Sequence, residues 1–278
     1  MSSRSSRHSS TVQRREVSLP RKVVSVICSL AMTMAFMIPA GAIAPLKAYA
    51  DSDASVAEAD EFKSFVTDVA DDTRGTEEKP YRIKTEADLI AFQEAINADT
   101  HATYGTSDTA TYTGKYFKLV DDIELTQGWV PVGKSTSIFF AGVFDGDGHT
   151  ISNMTVTAAE GTSAAHCGFF GYVRSAVDGT SPVIKDLKVV GTVTGNNGTS
   201  TTVGGIVGYA NPNTTGSGKA TITNCVSDVT LQGLRNVGGI AGQATTNVGI
   251  TNCLVLGDIT MVDNGSNAGS YGGGIVGI

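Results

Sequence analysis

The pentapeptide GGIVG at 204–208 is repeated as GGIAG at 238–242 and again as GGIVG at 273–277. The three starts lie 34 and then 35 residues apart. GFFG at 168–171 is a looser copy of this phrase, and GVFDG at 142–146 is a looser one still. Glycine permits tight turns and close approach of neighbouring backbones, so each phrase predicts a short apolar strand with a sharp corner at each end.

A second motif, which begins with isoleucine, lies between the glycine phrases. Its copies are ISNMTV at 151–156, IKDLKV at 184–189, ITNCVS at 222–227 and ITNCLV at 250–255. The third residue of each copy is Asn153, Asp186, Asn224 or Asn252. Asn and Asp favour turns, so each coil is predicted to contain a strand, a bend, a second strand and a glycine turn.

Aligning the four copies predicts which side chains stack in the core. The fourth residue is Met154, Leu187, Cys225 or Cys253, and the sixth is Val156, Val189, Ser227 or Val255. In the last three copies the tenth position holds Val193, Leu231 or Ile259. Equivalent residues of stacked coils form columns, so the sequence predicts a solenoid with a continuous and largely apolar core.

These repeats resemble the GLUG motif of bacterial surface and secreted proteins, which also occurs in a region of some immunoglobulin-A-cleaving proteases. The run FAGVFDGDGHTI at 140–151 is similar to the opening coil of right-handed β-helix proteins with such repeats. The resemblance covers about 80–278. It implies an all-β fold, a right-handed parallel β-helix or β-solenoid of glycine-rich repeats with a small α/β N-terminal cap, which serves as a stalk or adhesive surface.

The first fifty residues have the three parts of a secretory signal. Residues 1–22 are rich in serine and arginine, residues 23–38 carry no charge, and Ala48-Tyr49-Ala50 ends the segment with small residues. The sequence therefore predicts a signal peptide over 1–50, export, and a secreted or cell-surface location. An uncleaved membrane anchor is the alternative, although the apolar run is slightly short for a membrane span.

The segment 51–79 is acidic and rich in alanine and serine, which predicts a linker, with a short helix over 55–70 as an option. The formal net charge of −7 is unevenly distributed along the chain. Residues 51–278 contain 13 basic and 26 acidic residues. A surface this acidic repels phosphate backbones, so no nucleic-acid partner is predicted.

Residues 80–126 are predicted to form an α/β cap ahead of the repeats. The expected elements are a strand at 81–83, a helix over 86–97 and a strand over 115–125. TEAD at 85–88 resembles a capping box, and Leu89, Phe92 and Ile96 follow at helical spacing. The first coil of a solenoid has an open edge and an exposed core, which such a cap would cover.

Asp145, Asp147 and His149 form the most site-like cluster in the sequence. Paired carboxylates beside a histidine suit metal binding or acid–base catalysis, but Asp-Gly steps are also ordinary turn chemistry, which is the favoured interpretation. The other histidines, His8, His101 and His166, are isolated in the sequence. Zinc-protease, nucleophile-elbow and phosphate-loop motifs do not occur, so no catalytic residue, metal or cofactor is predicted, and the ligand-binding residues are unknown.

Cysteine usage leaves one alternative open. Cys28 lies in the apolar run of the signal, and Cys167 stands alone. Cys225 and Cys253 share the column of Met154 and Leu187, which favours a role as small buried hydrophobic residues. A disulfide between them is the alternative, because adjacent coils bring equivalent residues within bonding range and the chain is predicted to be exported.

Two functions follow from this organisation. The first is an adhesin-like or structural stalk built from repeats over 127–278. Its contact face for a host or cell-surface glycan or protein would be the polar loops at 158–166, 194–202, 210–220 and 261–271. The alternative is a non-catalytic exodomain of a larger secreted enzyme, a protease or a polysaccharide-acting one, encoded beyond Ile278. The repeats stop inside a glycine phrase, so truncation is expected, and membrane contact is expected only through an uncleaved signal segment.

Overall fold

The computed structural model describes residues 73–101, 110–158, 165–176, 180–195, 201–212, 218–262 and 269–278. The predicted signal peptide over 1–50, the optional helix over 55–70 and most of the predicted linker lie outside the described residues. Within these described ranges, no helix has the length and hydropathy needed to cross a membrane.

The described residues form one helix and 19 short strands. The helix, α1, spans Glu86–Ala98. The strands are β1 (Tyr81–Ile83), β2 (Tyr116–Leu119), β3 (Ile123–Glu124), β4 (Val143–Asp145), β5 (Thr150–Thr157), β6 (His166–Cys167), β7 (Phe170–Val173), β8 (Val183–Lys185), β9 (Lys188–Thr194), β10 (Thr202–Gly204), β11 (Val207–Ala210), β12 (Ala220–Thr223), β13 (Val226–Gly233), β14 (Asn236–Gly238), β15 (Ala241–Ala244), β16 (Val248–Thr251), β17 (Leu254–Val255), β18 (Ile259–Met261) and β19 (Gly272–Gly273).

These strands stack into four sheets. Sheet 1 has the order β1-β2-β4-β8-β12-β16, and sheet 2 the order β17-β13-β9-β5-β3, with β18 also paired to β13. Sheet 3 is β19-β14-β10-β6, and sheet 4 is β15-β11-β7. The chain visits the sheets in turn, so coil A runs from β4 to β7, coil B from β8 to β11, coil C from β12 to β15 and coil D from β16 to β19. The fold is therefore a nearly all-β parallel solenoid, as the sequence predicted.

The register of coils B, C and D confirms the predicted columns. In sheet 1, one column consists of Ile184, Ile222 and Ile250. Sheet 2 contains two columns, one of Val189, Ser227 and Val255 and the other of Val193, Leu231 and Ile259. The glycine phrases are also in register, since Gly204 pairs with Gly238 and Gly238 with Gly273. One sequence repeat therefore corresponds to one coil.

The predicted alignment is wrong for the first copy of the isoleucine motif. Ile151 pairs with Val189 in sheet 2, whereas Phe144 occupies the place in sheet 1 beside Ile184. Asn153 has a positive φ of 58°, but it lies at a register shift inside β5 and not at a corner. A bulge and a corner need the same left-handed residue, so the short pattern I-x-N could not distinguish them.

One of the two looser glycine phrases is also reassigned. GFFG at 168–171 is a true copy, because Phe170 pairs with Val207 in sheet 4. GVFDG at 142–146 is not a copy, because its strand β4 pairs with β8 in sheet 1. In sheet 4, Phe170 is instead paired on its other side with Val132, by an isolated parallel bridge. Glycines flank strands of both sheets here, which explains the false match.

Helix α1 begins at the predicted capping box and extends one residue beyond the predicted end. The Thr85 hydroxyl accepts the Asp88 N–H at 3.2 Å, and the Asp88 carboxylate accepts the Thr85 N–H at 3.0 Å. Its predicted apolar residues, Leu89, Phe92 and Ile96, are all buried. The Phe92 ring lies 4.7 Å from that of Phe117 and 5.4 Å from that of Phe144, centroid to centroid. The helix therefore packs directly on the aromatic start of the solenoid core.

Polar side chains of α1 bond backbone groups at the start of the solenoid. The Asn97 amide donates to the carbonyl of Pro131 at 3.0 Å and accepts the N–H of Gly133 at 2.8 Å. The Glu86 carboxylate accepts the N–H and the hydroxyl of Thr126 at 2.6 and 2.8 Å. These are groups that a preceding strand would otherwise pair, so the helix blunts an open sheet edge. The predicted cap at 80–126 contributes β1 and β2 to sheet 1 and β3 to sheet 2. The single strand expected over 115–125 was therefore wrong, because the chain turns from one sheet to the next between β2 and β3.

Candidate functional site

The outer corner between sheets 1 and 2 carries a column of Asp and Asn residues. Asp147, Asp186, Asn224 and Asn252 have φ angles of 51°, 54°, 54° and 53°. This left-handed conformation is open to Asp and Asn because their short polar side chains bond the local backbone. The predicted bend at the third motif position is therefore confirmed for coils B, C and D. Each coil places a carboxylate or an amide at the same outer edge.

The predicted cluster of Asp145, Asp147 and His149 lies in this corner, and each member has its own partner. The pairs are Asp145 with Lys185 at 2.7 Å, Asp147 with Lys118 at 3.0 Å and His149 with Asp122 at 3.3 Å. The Asp147 N–H donates to the Asp145 carboxylate at 2.9 Å, which is a turn contact. Across the described ranges, no group of three His, Cys, Asp or Glu side chains is arranged to hold a metal ion. The observed contacts are those of a charge-paired turn.

Neighbouring groups shift the pKa values of two side chains at the corner, Lys185 and Asp122. The hydrogen bond that Lys185 donates to the Asp145 carboxylate raises the pKa of Lys185, and the nearby Asp186 carboxylate raises it further. The backbone N–H of Thr150 lowers the pKa of Asp122, which also bonds His149. Acids stabilised as carboxylates in this way are poor proton donors near neutral pH.

A hollow of about 370 Å³ lies beside the corner. Its lining residues are Asp147, Gly148, Asp186, Leu187, Lys188, Asn224 and Val226. The corner of coil A has four residues between Asp145 and Thr150, whereas that of coil B has two between Lys185 and Lys188. The longer turn bounds the hollow on one side, and residues of coils B and C complete it. The extra pair of residues therefore forms one wall of the hollow.

The hollow combines directional polar groups with aliphatic surface. The Asn224 amide donates to the Asp186 carboxylate at 2.8 Å, which fixes both side chains. Lys188 lies 3.7 Å from Asp228 and keeps donor capacity for a further partner. Val226, which is half-buried, supplies apolar surface beside these groups. Carboxylate and amide acceptors next to aliphatic side chains suit a neutral, hydroxyl-rich ligand better than an anion.

Sequence reasoning missed two outward-facing rows on sheets 3 and 4. In register, they are His166, Thr202 and Asn236 on sheet 3, and Tyr172, Tyr209 and Gln243 on sheet 4. The rows touch, since the His166 ring lies 5.1 Å from the Tyr172 ring and 5.2 Å from the Tyr209 ring. The fold therefore brings His166, which is isolated in the sequence, against two tyrosine rings. The available signal was position, because these residues lie two before and one after each glycine phrase.

His166 serves packing between these rows. Burial lowers the pKa of His166 to about 4, so its ring is neutral near physiological pH. Its Nδ1 lies 2.9 Å from the Thr202 hydroxyl. Tyr172 is buried as well, and its hydroxyl accepts a hydrogen bond from Asn211 at 2.9 Å. Most of this aromatic surface is already covered, which leaves the corner hollow as the more open of the two features.

The four polar loops predicted to form one contact face belong to two different corners. Loops 158–166, 194–202 and 261–271 connect strands of sheet 2 to strands of sheet 3, whereas 210–220 connects β11 in sheet 4 to β12 in sheet 1. The centres of all four loops lie outside the described residues. The prediction that these loops form a single contact face therefore stays a prediction.

Of the remaining histidines and cysteines considered above, His101 and Cys167 pack against neighbouring residues. The His101 ring stacks on that of Phe139 at 3.7 Å, and its Nε2 lies 2.9 Å from the Phe139 carbonyl oxygen. Cys167 is buried, and burial raises the pKa of its thiol to about 12. His8 and Cys28 lie outside the described residues.

Comparisons with known proteins give two distant likenesses. No protein-family model matches the chain. Halomucin from Haloquadratum walsbyi is 27% identical over 182 residues, a match that covers 62% of this chain and 2% of Halomucin. A crystal structure from Bacteroides ovatus, of a protein provisionally named an immunoglobulin A1 protease, aligns at 17% identity with a TM-score of 0.29. That alignment covers 72% of this chain and 85% of the other. The fold and the Halomucin likeness are compatible with a secreted repeat protein.

Proposed function

We propose that this chain is an exported repeat protein that acts as an adhesin-like or structural stalk at a cell surface, without catalysis of its own. The observation that carries the proposal is the in-register stack of coils, which places equivalent positions of successive coils in columns along one axis. Such quasi-one-dimensional stacks suit spacing and multivalent contact. The secretory signal pattern over 1–50 supports export.

We assign the adhesive contact to the corner hollow lined by Asp147, Asp186, Lys188 and Asn224. Its volume of about 370 Å³ accommodates one or two sugar rings of a larger glycan. The fixed Asp186–Asn224 pair offers oriented acceptors to sugar hydroxyls, and the half-buried Val226 offers apolar contact to a ring face. The ligand class proposed is therefore a neutral glycan of a host or cell surface.

A glycan and extracellular-matrix array with the purified chain tests both parts of the proposal. The chain is expected to bind a subset of neutral glycans. Asp186→Asn is the informative variant, because Asn also tolerates the left-handed backbone while the carboxylate is lost. We expect it to weaken glycan binding at least tenfold. Glu124→Gln, at an exposed acid of the same sheet as β9, is the matched control and should leave binding unchanged.

The outcomes separate adhesion from a spacer role. A blank array from protein with the circular dichroism of a folded β protein would contradict adhesion by this chain and leave the stalk. Binding that survives Asp186→Asn but is abolished by changes in loop 194–202 would move the contact away from the hollow.

A second candidate is a non-catalytic exodomain of a larger secreted enzyme. One observation favours it, since the match to Halomucin occupies 2% of that protein, so a similar segment occurs inside a much longer chain. Sequencing beyond the codon for Ile278 distinguishes the two candidates. Further repeats followed by a wall anchor favour the stalk, and a catalytic motif favours the exodomain.

A further inference from the structure

Cys225 and Cys253 occupy equivalent places in coils C and D. Thr223 is in register with Thr251, and Val226 with Leu254, so the two cysteines lie one coil apart at the same corner. Adjacent parallel strands are ~4.8 Å apart, which falls inside the ~4.4–6.8 Å separation of Cα atoms found in disulfides. The backbone therefore already has the spacing of a bonded pair.

The two sulfur atoms have matching surroundings. The Cys225 sulfur lies 3.3 Å from the carbonyl oxygen of Thr223, and the Cys253 sulfur lies 3.3 Å from that of Thr251. The two thiols are near enough to shift each other's pKa in opposite directions. Cys225 is fully buried, whereas Cys253 is only half-buried and reachable by a small reagent. Cys167 differs from both, because its neighbour in sheet 3 is Val203.

We propose that Cys225 and Cys253 are a redox-controlled staple, which a small-molecule disulfide oxidises to a covalent link between coils C and D. The half-buried Cys253 thiolate attacks one sulfur of the reagent, whose sulfur–sulfur bond breaks and releases a first thiolate. Cys225 then loses its proton and attacks the Cys253 sulfur of this mixed disulfide, which releases the second thiolate. Two protein thiols are oxidised and one reagent disulfide is reduced to two thiols.

The order of attack agrees with the chemistry of each thiol. The hydrogen bond to Cys253, together with burial, raises the pKa of Cys225. The hydrogen bond from Cys225 lowers the pKa of Cys253, so its thiolate is populated near neutral pH. The thiolate is the reactive form of cysteine, and the exposed member therefore reacts first. The sulfurs must then approach to about 2.05 Å, and the register of the flanking residues places the two cysteines side by side for this step.

The link would secure the part of the solenoid with the least covering. Coil D contains strands of two residues, and Leu254 and Leu256 are 51% and 56% exposed. A bond between coils removes conformational freedom from the unfolded chain around the corner and stabilises the stack. The exported setting predicted from the first fifty residues supplies oxidising conditions.

Peptide mapping of the full chain under non-reducing conditions tests the proposal. Arg235 lies between the two cysteines, so trypsin separates Cys225, in 220–235, from Cys253, in 236–278. After exposure to oxidised glutathione, we expect these two peptides to be recovered as one linked species that dithiothreitol separates. The linked species should disappear in Cys225→Ser and in Cys253→Ser. Cys167→Ser is the matched control and should retain it.

A second readout measures stability. Oxidation should raise the melting temperature of the chain by several degrees, and the rise should be absent in Cys253→Ser. Either of two results would overturn the proposal: glutathione held as a lasting mixed disulfide on Cys253, or two reduced peptides after prolonged oxidation of folded protein. Linkage through Cys167 would also overturn it.

Discussion

At the scale of single residues, left-handed corners decide where each coil turns from sheet 1 to sheet 2. Asn224 holds a φ of 54° and bonds Asp186 in the previous coil at 2.8 Å. A residue with a Cβ but no polar group is strained in this conformation and gains no compensating hydrogen bond. The Asp and Asn column is therefore a conformational requirement as well as a polar surface.

Asn224→Ala tests that requirement. We expect a loss of about 1–2 kcal/mol of unfolding free energy, from left-handed strain and the lost hydrogen bond. Asn224→Gly should cost less, because glycine adopts positive φ freely. Urea denaturation followed by circular dichroism measures both, with Thr230→Ala at an exposed site of β13 as the control. Equal losses for alanine and glycine would show that the backbone conformation is unimportant.

Replacing Ser227 is expected to increase the stability of the core. It occupies the apolar column between Val189 and Val255, and its buried hydroxyl lacks a hydrogen-bond partner within the described structure. An unpaired buried hydroxyl costs about 1–3 kcal/mol. Ser227→Ala should therefore raise the unfolding free energy by about 1 kcal/mol once lost packing is included, and the urea midpoint should rise with it. A lowered midpoint would mean that the hydroxyl is satisfied in solution.

His166 makes the unfolding free energy depend on pH. Its pKa in the fold is about 4, below the ordinary value of 6.5, so the unfolded chain binds the proton first. The contribution of the neutral ring is complete above pH 6.5 and is lost as the pH falls towards 4, by roughly 2 to 3 kcal/mol. His166→Gln should flatten the stability profile in that window when denaturation is repeated at several pH values. Parallel profiles for the two proteins would contradict this assignment.

At the scale of elements, the glycine phrases let the backbones of successive coils approach closely at the corner between sheets 3 and 4, where a side chain would not fit. A Cβ on Gly239 would overlap the carbonyl oxygen of Gly274 in the next coil. A Cβ at the equivalent position of coil D, Gly274, would instead meet open space. The repeated glycine is thus required by the coil stacked on it, and not by the turn alone.

This difference gives a matched pair of substitutions. Gly239→Ala should destabilise the chain by about 2–4 kcal/mol, because backbone of the neighbouring coil must move. Gly274→Ala should change the stability by less than about 0.5 kcal/mol. Thermal unfolding of both variants measures the difference. Similar melting temperatures for the two would show that coils C and D are not closely stacked in solution.

At the scale of the whole molecule, stability should vary along the solenoid axis. Strand β13 is paired on both sides and matches β9 over seven residues, whereas β17 and β19 have two residues each. Each coil contacts only its neighbours, so opening can spread from a weak coil without unfolding the rest.

Hydrogen exchange with mass spectrometry tests this gradient. Backbone amides in β9 and β13 should exchange at least tenfold more slowly than those in β17 and β19. Oxidation of Cys225 and Cys253 should narrow the gap. Uniform protection across the coils would instead indicate that the chain unfolds in a single cooperative step.

The sequence by itself determined the repeat, the sheet columns of coils B to D, the capping box and helix α1. Each of these depends on local periodicity or on residues that only a few backbone conformations accept. Asn at the bend and paired glycines at the corner are such residues, so their spacing reports the coil directly.

Only the tertiary structure decided how coil A is registered and what faces the outside. Ile151 and Phe144 carry the same apolar signal, and their sheets differ because Gly146–His149 adds two residues to a corner. The corner hollow and the contact of His166 with Tyr172 both join residues of different strands. Such juxtapositions arise from stacking, which is set by the packing of whole coils and leaves no pattern in a single repeat.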